Sequence, residues 1–347
     1  MAHRSELRTG ADVRHDRGAR VLAPSDGPGS LLGEAVLTVI RALLITNPAA
    51  ARTDARAVTA IRETLRGGGW DVEVLATAAP GDARRFAATA RAEAFDVVVC
   101  YGGDGTAMQV AAGLVGGDIP LGLVAGGTGN LLVGNLRLPR RPAAAARVIL
   151  SGTPMRLDLG RMERADGLHY FAVCCGAGFD AALMARTRGE DKRRWRMGAY
   201  FAQAIAALPQ VRSVAHRVTV DGTPHELPAA MVLVANCGEL LPPFLRLREG
   251  IRPDDGWLDI VAVRSDGVIE SVAAFFDLLR RAANGTGRVW FARGRAVRVE
   301  VVGGAAQPVQ LDGEVRGGTP FEASLAPHAL AVLVDPAAVP GGVRNNA

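Results

Sequence analysis

The sequence predicts an α/β domain built on a parallel, three-layer sheet and followed by a β-sandwich-rich domain. Up to about residue 151, apolar runs of strand length alternate with amphipathic segments through short connections, the pattern of a parallel sheet covered on both faces. Beyond about residue 152, short alternating runs are separated by Asp-Gly or Gly turns, the pattern of antiparallel β structure. A length of 347 residues and a hydrophobic content of 49% supply enough apolar side chains for two ordinary cores.

Residues 1–36 mix charge, Gly, Ser and Pro without sustained periodicity, the composition of a disordered tail. The first domain spans 37–151. In it LTVIRALLITNP reads as a strand, Asp54 to Arg66 as a helix, WDVEVLAT as a strand and Asp82 to Ala94 as a helix. DVVVCY then reads as a strand, Ala107 to Val115 as a helix and PLGLVAG as a strand. The second domain spans 152–336, and 337–347 form a terminal tail. Its strands are HYFAVCCGAG, HRVTVDG, AAMVLVANCG, WLDIVAVRSDG, AVRVEVV and HALAVLVD. Helices are predicted from about Arg193 to Leu208 and over GVIESVAAFFDLLRRAA, before Asn284-Gly285. No repeat of fixed period is present.

Charge and cysteine usage narrow the function classes. Forty basic residues stand against 35 acidic ones, a formal charge of +5, which is no nucleic-acid footprint but suits anionic ligands or an anionic membrane surface. Cys100, Cys174, Cys175 and Cys237 show no CxxC spacing and read as buried small hydrophobes in a reducing compartment. The run AVLTVIRALLIT is interrupted by Arg41 and followed by Asn47-Pro48, so it is too short to span a bilayer and is placed like a strand. The chain is therefore expected in the cytoplasm, at most peripheral to the inner membrane face.

The stretch VVVCYGGDGTAMQV, Val97 to Val110, ends a β-branched run in glycines and turns at once into helix-forming residues. Such a corner places backbone N–H groups at the C-terminal edge of the sheet, beside a partly positive helix N-terminus, where phosphate is the natural guest. Gly102, Gly103 and Gly105 are expected to let the backbone approach the anion and reach positive φ. Asp104 is expected to hold a cation or water, and Thr106 to donate a hydrogen bond. A tight βα turn capped by Asp104 explains the same residues without a ligand. A second corner, Gly126-Gly127-Thr128-Gly129-Asn130, ends the next predicted strand, and adjacent strand ends are where open α/β sheets form their ligand crevice.

These corners, with Thr46-Asn47-Pro48 at the end of the first strand, resemble the catalytic domain of the diacylglycerol kinase and sphingosine kinase superfamily, within it the soluble bacterial lipid kinase branch. The resemblance runs on in order through LDLG (Leu157 to Gly160), GAGFDA (Gly176 to Ala181), Lys192 eight residues before Tyr200, and VANCG (Val234 to Gly238). It ends with PDDGWLDI (Pro253 to Ile260) and LDGE (Leu311 to Glu314), covering residues 40 to about 336. It implies a NAD-kinase-like fold and ATP-dependent phosphorylation of a lipid hydroxyl, with nucleotide held between the two domains.

By position, the resemblance implies nucleotide contacts at Asn47, Pro48, Ala49, Ala50 and Ala51 after the first strand and Thr77 after the second. It adds Gly102, Gly103, Asp104, Gly105, Thr106, Ala107, Met108 and Gln109 in one corner, and Gly127, Thr128, Gly129 and Asn130 in the other. Glu314 is implied as general base, the carboxylate that orients the acceptor hydroxyl and takes its proton, with Asp104 as a second catalytic carboxylate. Without the resemblance, Asp312-Gly313 is one of seven Asp-Gly pairs that read as turns. A structural Mg²⁺ is implied at Asp255 with main-chain oxygens of Arg252 and Trp257, the alternative being a solvated hairpin turn. Asp158, between leucines, is costly unless paired or near metal, and is expected to share a network with Asp104 and Lys192.

The basic stretch carrying Arg186, Arg188, Lys192, Arg193, Arg194 and Arg196 reads by default as a solvated face, and alternatively as a docking site for anionic headgroups with Trp195 at the interface. Leu131 stands where many relatives carry Asp, Gln109 where they often carry Glu, and Ala125 where proline is common. The expected activity is phosphorylation of diacylglycerol to phosphatidic acid. A NAD kinase-like small-molecule kinase and a nucleotide- or lipid-binding regulator without turnover are the alternatives. The expected partner is a lipid at the membrane surface, with no nucleic acid, and a homodimer is compatible with the sequence.

Overall fold

The computed structural model describes residues 39–164, 166–178, 181, 206, 208–242, 245–279 and 287–339. The expected N-terminal tail, the basic stretch from Arg186 to Arg196 with Lys192 and Trp195, and all but Ala206 and Leu208 of the helix expected over 193–208 lie outside the described residues.

Four strands, β1 (Arg41–Thr46), β2 (Asp71–Ala76), β3 (Val97–Gly102) and β4 (Leu121–Ala125), pair in parallel in the order β2-β1-β3-β4. Helices α1 (Ala55–Gly67), α2 (Asp82–Thr89), α3 (Asp104–Leu114), α4 (Leu131–Asn135) and α5 (Pro142–Ser151) accompany them. Alternation along β1 sends Ala42 and Leu44 to one face, against Ile61 and Leu65 of α1 and Ile149 of α5. It sends Leu43 and Ile45 to the other, against Ala87 of α2 and Val110 and Ala111 of α3, which is the expected three-layer arrangement. Local chemistry sets the helix starts: Asp54 caps α1 by accepting from Ala57 N–H at 2.7 Å, and Pro142 opens α5.

Two boundaries differ from expectation. Helix α2 ends at Thr89, not Ala94, because Ala94 turns left-handed (φ 57°) and Phe95 N–H returns to Ala90 O at 3.0 Å. Helix α3 begins at Asp104, three residues earlier than expected, so the Asp-Gly-Thr of the corner is already its first turn.

The rest of the chain supplies β5 (Thr153–Arg164), β6 (Gly167–Phe171), β7 (Cys174–Gly178), β8 (Val214–Val220), β9 (Thr223–Ala229), β10 (Met231–Ala235), β11 (Glu239–Leu241) and β12 (Leu245–Arg246). There follow β13 (Leu258–Val263), α6 (Val268–Leu279), β14 (Val289–Gly294), β15 (Ala296–Val301), β16 (Pro308–Leu311), β17 (Glu314–Gly318) and β18 (Phe321–Val334). The run HYFAVCCGAG, expected as one strand, is split at Ala172-Val173 into β6 and β7, which belong to different sheets.

One sheet has the order β14-β13-β10-β7-β16-β17. The other sheet of the sandwich continues the parallel one: β18 pairs with β4 in parallel at Val332↔Leu121, runs antiparallel to β5, and passes the ladder on to β15, β8 and β9. Val232, Val234, Ile260 and Ala262 of one sheet pack on Val218, Val297, Val299 and Phe321 of the other, the interleaved core of a β-sandwich. The alternate residues Leu233, Ala235, Val261 and Val263 face the opposite way and join Ala274 of α6, Leu132 of α4 and Leu136 just after it in a second core. With both faces buried, β10 and β13 have the composition of continuous apolar runs.

Candidate active site

The parallel strands end side by side. Thr46 is in register with Ala76 and Tyr101, and Gly102 with Ala125, so Asn47 to Ala51, Thr77, Gly102-Gly103 and Gly126 to Asn130 all emerge on one edge. The turn after β1 is held by its own polar groups: Ala49 N–H donates to Asn47 Oδ1 (3.0 Å), and Asn47 Nδ2 donates to Thr106 Oγ1 (2.9 Å). Thr106, expected to donate a hydrogen bond, is buried and here accepts one from Asn47. The two glycine corners touch backbone to backbone: a Cβ on Gly127 would lie 2.6 Å from Gly103 Cα, and one on Gly126 3.1 Å from Gly102 Cα. Gly102, Gly103 and Gly105 do not adopt positive φ, contrary to expectation, and Gly103 is extended at φ −89°, ψ −176°. These glycines are required by close approach.

Asp104 joins the two corners. Its Oδ2 accepts from Asn130 N–H at 2.7 Å and its Oδ1 from Leu131 N–H at 2.6 Å, so it caps α4 and ties the first corner to the second. Burial pushes its carboxyl up, opposed by the N–H groups of Leu131 and Asn130. Asn130 is left-handed (φ 49°) and closes its own loop through Gly127, donating to its O at 2.8 Å and accepting from its N–H at 2.9 Å.

Glu314 arrives from the other end of the chain. It opens β17, and a Cβ placed on Gly105 would overlap its Oε1, so its carboxylate lies against the first turn of α3. Its side chain is half exposed and its Oε2 accepts from Arg316 Nη2 at 3.0 Å. A carboxylate able to take a proton thus faces the corner best suited to bind phosphate. Gln109, one helical turn after Gly105, shares that face of α3.

The Asp158 network differs from expectation. Fully buried, its carboxylate accepts from Gly256 N–H (2.7 Å) and His328 N–H (2.8 Å), the second reaching it because His328 sits at φ 50° in a bulge of β18. Asp158 therefore belongs with the Pro253 to Trp257 loop and not with Asp104, and Lys192 lies outside the described residues.

In that loop Asp255 Oδ1 accepts from Trp257 N–H at 3.1 Å, and its Oδ2 lies 3.2 Å from Arg293, which also pairs with Asp259 at 3.0 Å. Burial pushes the Asp255 carboxyl up, Arg293 pulls it down, and Asp259 and Asp158 push it up again. Arg252 directs its side chain to Asp254 at 2.8–2.9 Å. Among the described residues no group of three or more His, Cys, Asp or Glu is arranged to hold a metal. A cation here would rest on Asp255 and the main-chain oxygens of Arg252 and Trp257, a hard donor set that suits Mg²⁺ and offsets the surplus of carboxylates.

Two groups were not singled out from the sequence. Glu239, in β11, accepts from Arg137 and Arg246, while Asn135 at the end of α4 exchanges hydrogen bonds with its backbone at 2.9 and 3.1 Å. Burial would raise the Glu239 carboxyl, but Arg137 and Arg246 hold it low. The other is Asp312, whose carboxylate accepts from Ala172, Val173 and Cys174 N–H groups at 2.7, 2.9 and 2.9 Å. Its position in an Asp-Gly pair marked it only as a turn.

Residues 41–162 match the diacylglycerol kinase catalytic domain, and residues 173–334 the YegS C-terminal NAD kinase beta sandwich-like domain. The chain is 32% identical over 275 residues to a diacylglycerol kinase of Mycobacterium tuberculosis, covering 78% of this chain and 86% of that one. It is 28% identical over 275 residues to a probable lipid kinase YegS-like of Chromohalobacter salexigens, covering 77% and 85%. A crystal structure of a putative diacylglycerol kinase from Bacillus anthracis shares the fold, with a TM-score of 0.70 at 24% identity over 86% of this chain and 99% of that one.

Proposed function

Because this chain belongs to the diacylglycerol kinase catalytic-domain family, we propose that it transfers the γ-phosphoryl group of ATP to the hydroxyl of diacylglycerol, giving phosphatidic acid, with Glu314 as general base. The observation that carries this reading is the seat of the Glu314 carboxylate against Gly105, at the first turn of α3. There Glu314 takes the hydroxyl proton as the oxygen attacks the γ-phosphorus, and the bond to the bridging oxygen breaks to release ADP. The phosphates lie at the first turn of α3, whose N-terminal N–H groups stabilise the charge that develops on them, while the Gly126, Gly127 and Asn130 N–H groups shape the second corner from within. When bound, Mg²⁺ supplies further neutralisation of the phosphate oxygens. Asp104 acts from behind, fixing the second corner through Asn130 and Leu131 N–H. No described helix is long and apolar enough to cross a membrane, and the lipid acceptor is met by peripheral contact with the cytoplasmic face.

The Glu314→Gln variant, assayed with ATP, Mg²⁺ and diacylglycerol in mixed micelles, should lose about 10²–10⁴-fold in kcat while binding nucleotide normally. Equal turnover by variant and parent would refute the base assignment. Label from γ-labelled ATP that stays in the aqueous phase when NAD and lipid compete would refute the lipid acceptor.

A further inference from the structure

Glu314 sits on an edge. Strand β17 ends its sheet, has only five residues, and pairs with β16 through an irregular register between Pro308 and Gln310. A side chain on so short an edge strand is aimed by its turn more than by its ladder. That turn is Asp312-Gly313, both left-handed at φ 44° and 87°, joining Leu311 to Glu314, which are paired across the hairpin. We propose that Asp312 is the positioning residue for Glu314: its carboxylate, seated on three successive backbone N–H groups, locks the turn that aims the base at Gly105. This rests on the reading of Glu314 as the base.

The seat is rigid on both sides. Ala172, Val173 and Cys174 are buried and give their N–H groups to Asp312. The carbonyls of Ala172 and Val173 are held in turn by Asn236 and Cys237, at 2.8–3.2 Å. Asp312 N–H donates back to Cys174 O at 2.9 Å, and Gly313 N–H donates to Gln310 Oε1 at 2.9 Å. Three donors converging on one side chain call for an acceptor with two oxygens and no hydrogen of its own, which only an ionised carboxylate provides. Burial nevertheless pushes the Asp312 carboxyl up to about 6, against those three N–H groups and with Asp104 adding to the rise. Among the described residues, the titratable groups that interact with it are the Asp104 carboxylate and the Cys237 thiol, and the Cys237 thiol is itself pushed up by burial first and by Asp312 next. Below about pH 6 protonation spares the fold a buried charge, so the fold as a whole gains stability, but it puts a hydroxyl among donors, and the aim of the turn loosens.

The test compares Asp312→Asn and Gly313→Ala, each alone and combined with Glu314→Gln, at saturating ATP and diacylglycerol. Asp312→Asn should lower kcat by about 10²-fold, the scale of a catalytic group displaced by about 1 Å, with nucleotide Kd unchanged. It should cause no further loss in the Glu314→Gln background, because Asp312 acts through Glu314. The fall in kcat expected of the parent below about pH 6 should be absent from Asp312→Asn. If Asp312→Asn does not fold, Gly313→Ala carries the test: its φ is 87° and no atom lies within 4 Å of the added Cβ, so only the turn geometry is disturbed. Parental kcat in either folded variant, or losses that multiply with that of Glu314→Gln, overturns the proposal alone. Unimpaired Glu314→Gln overturns the base reading and this proposal together.

Discussion

Gly105→Ala separates folding from function at a single atom. Gly105 lies in the first turn of α3 with ordinary helical handedness, so alanine there suits the backbone and favours the helix by about 0.5–1 kcal/mol. The added methyl meets one obstacle within 4 Å, the Glu314 carboxylate. That side chain is long, half exposed and able to swing away, so the fold bears little of the strain. The carboxylate itself must retreat by about 1 Å to regain ordinary contact distance, a displacement that costs about 10²-fold in rate, or about 2.7 kcal/mol of transition-state stabilisation. The expected outcome is a thermal midpoint equal to or above that of the parent with kcat lower by about 10²-fold. Steady-state kinetics with diacylglycerol in mixed micelles and a thermal melt on the same preparation check both halves. A kcat within about twofold of the parent would show that Glu314 does not work from beside Gly105, and a large drop in the melting midpoint would show that the corner is packed differently.

Glu239→Gln should weaken the ion-pair latch that Arg137 and Arg246 make on β11, while the Asn135 hydrogen bonds to the Glu239 backbone stay in place. Arg137 and Arg246 would lose a shared partner that is 4% exposed, and because those arginines are 29% and 40% exposed the expected loss is about 1–3 kcal/mol in urea unfolding. An unchanged urea midpoint would refute the latch. Stability should also carry the signature of Asp312. Its folded carboxyl stands at about 6 against 3.8 unfolded, so the folded state binds the extra proton between those values. The contribution is fully present below 3.8 and lost as pH rises through about 6, worth about 3 kcal/mol. Relative to Asp312→Asn, the parent should gain that much on acidification from about pH 7 to about pH 4, and a flat difference would refute the assignment.

Much of this arrangement was legible in the chain. Parallel strands buried on both faces read as continuous apolar runs, and the glycine corners were visible because close backbone approach leaves no substitute for glycine. What was hidden is non-local. Asp158 takes its partners from Gly256 and His328, 98 and 170 positions away, so no local pattern could distinguish that set from Asp104 and Lys192. Asp312 looks like any other Asp-Gly turn, since what sets it apart is the donors it meets at Ala172 to Cys174, 138–140 positions away. The early start of α3 went unread because Gly103 and Gly105 are poor helix formers and packing overrides that preference. Helix α5 did carry a signal, Pro142 at its first position followed by four alanines.

The place of β18 bears on how the protein comes into being. Leu121 of β4 waits for Val332, more than 200 positions later, before its free side is covered. At about 5–20 residues per second, the nascent chain carries an open parallel edge for about 10–40 s after the glycine corners have left the ribosome. A truncated chain ending after α5 would keep that edge permanently, and would be expected to self-associate before it could be tested for nucleotide binding. The half that carries the glycine corners is completed only by β18, the last of the described strands, so nascent chains released early lack the finished sheet beside those corners.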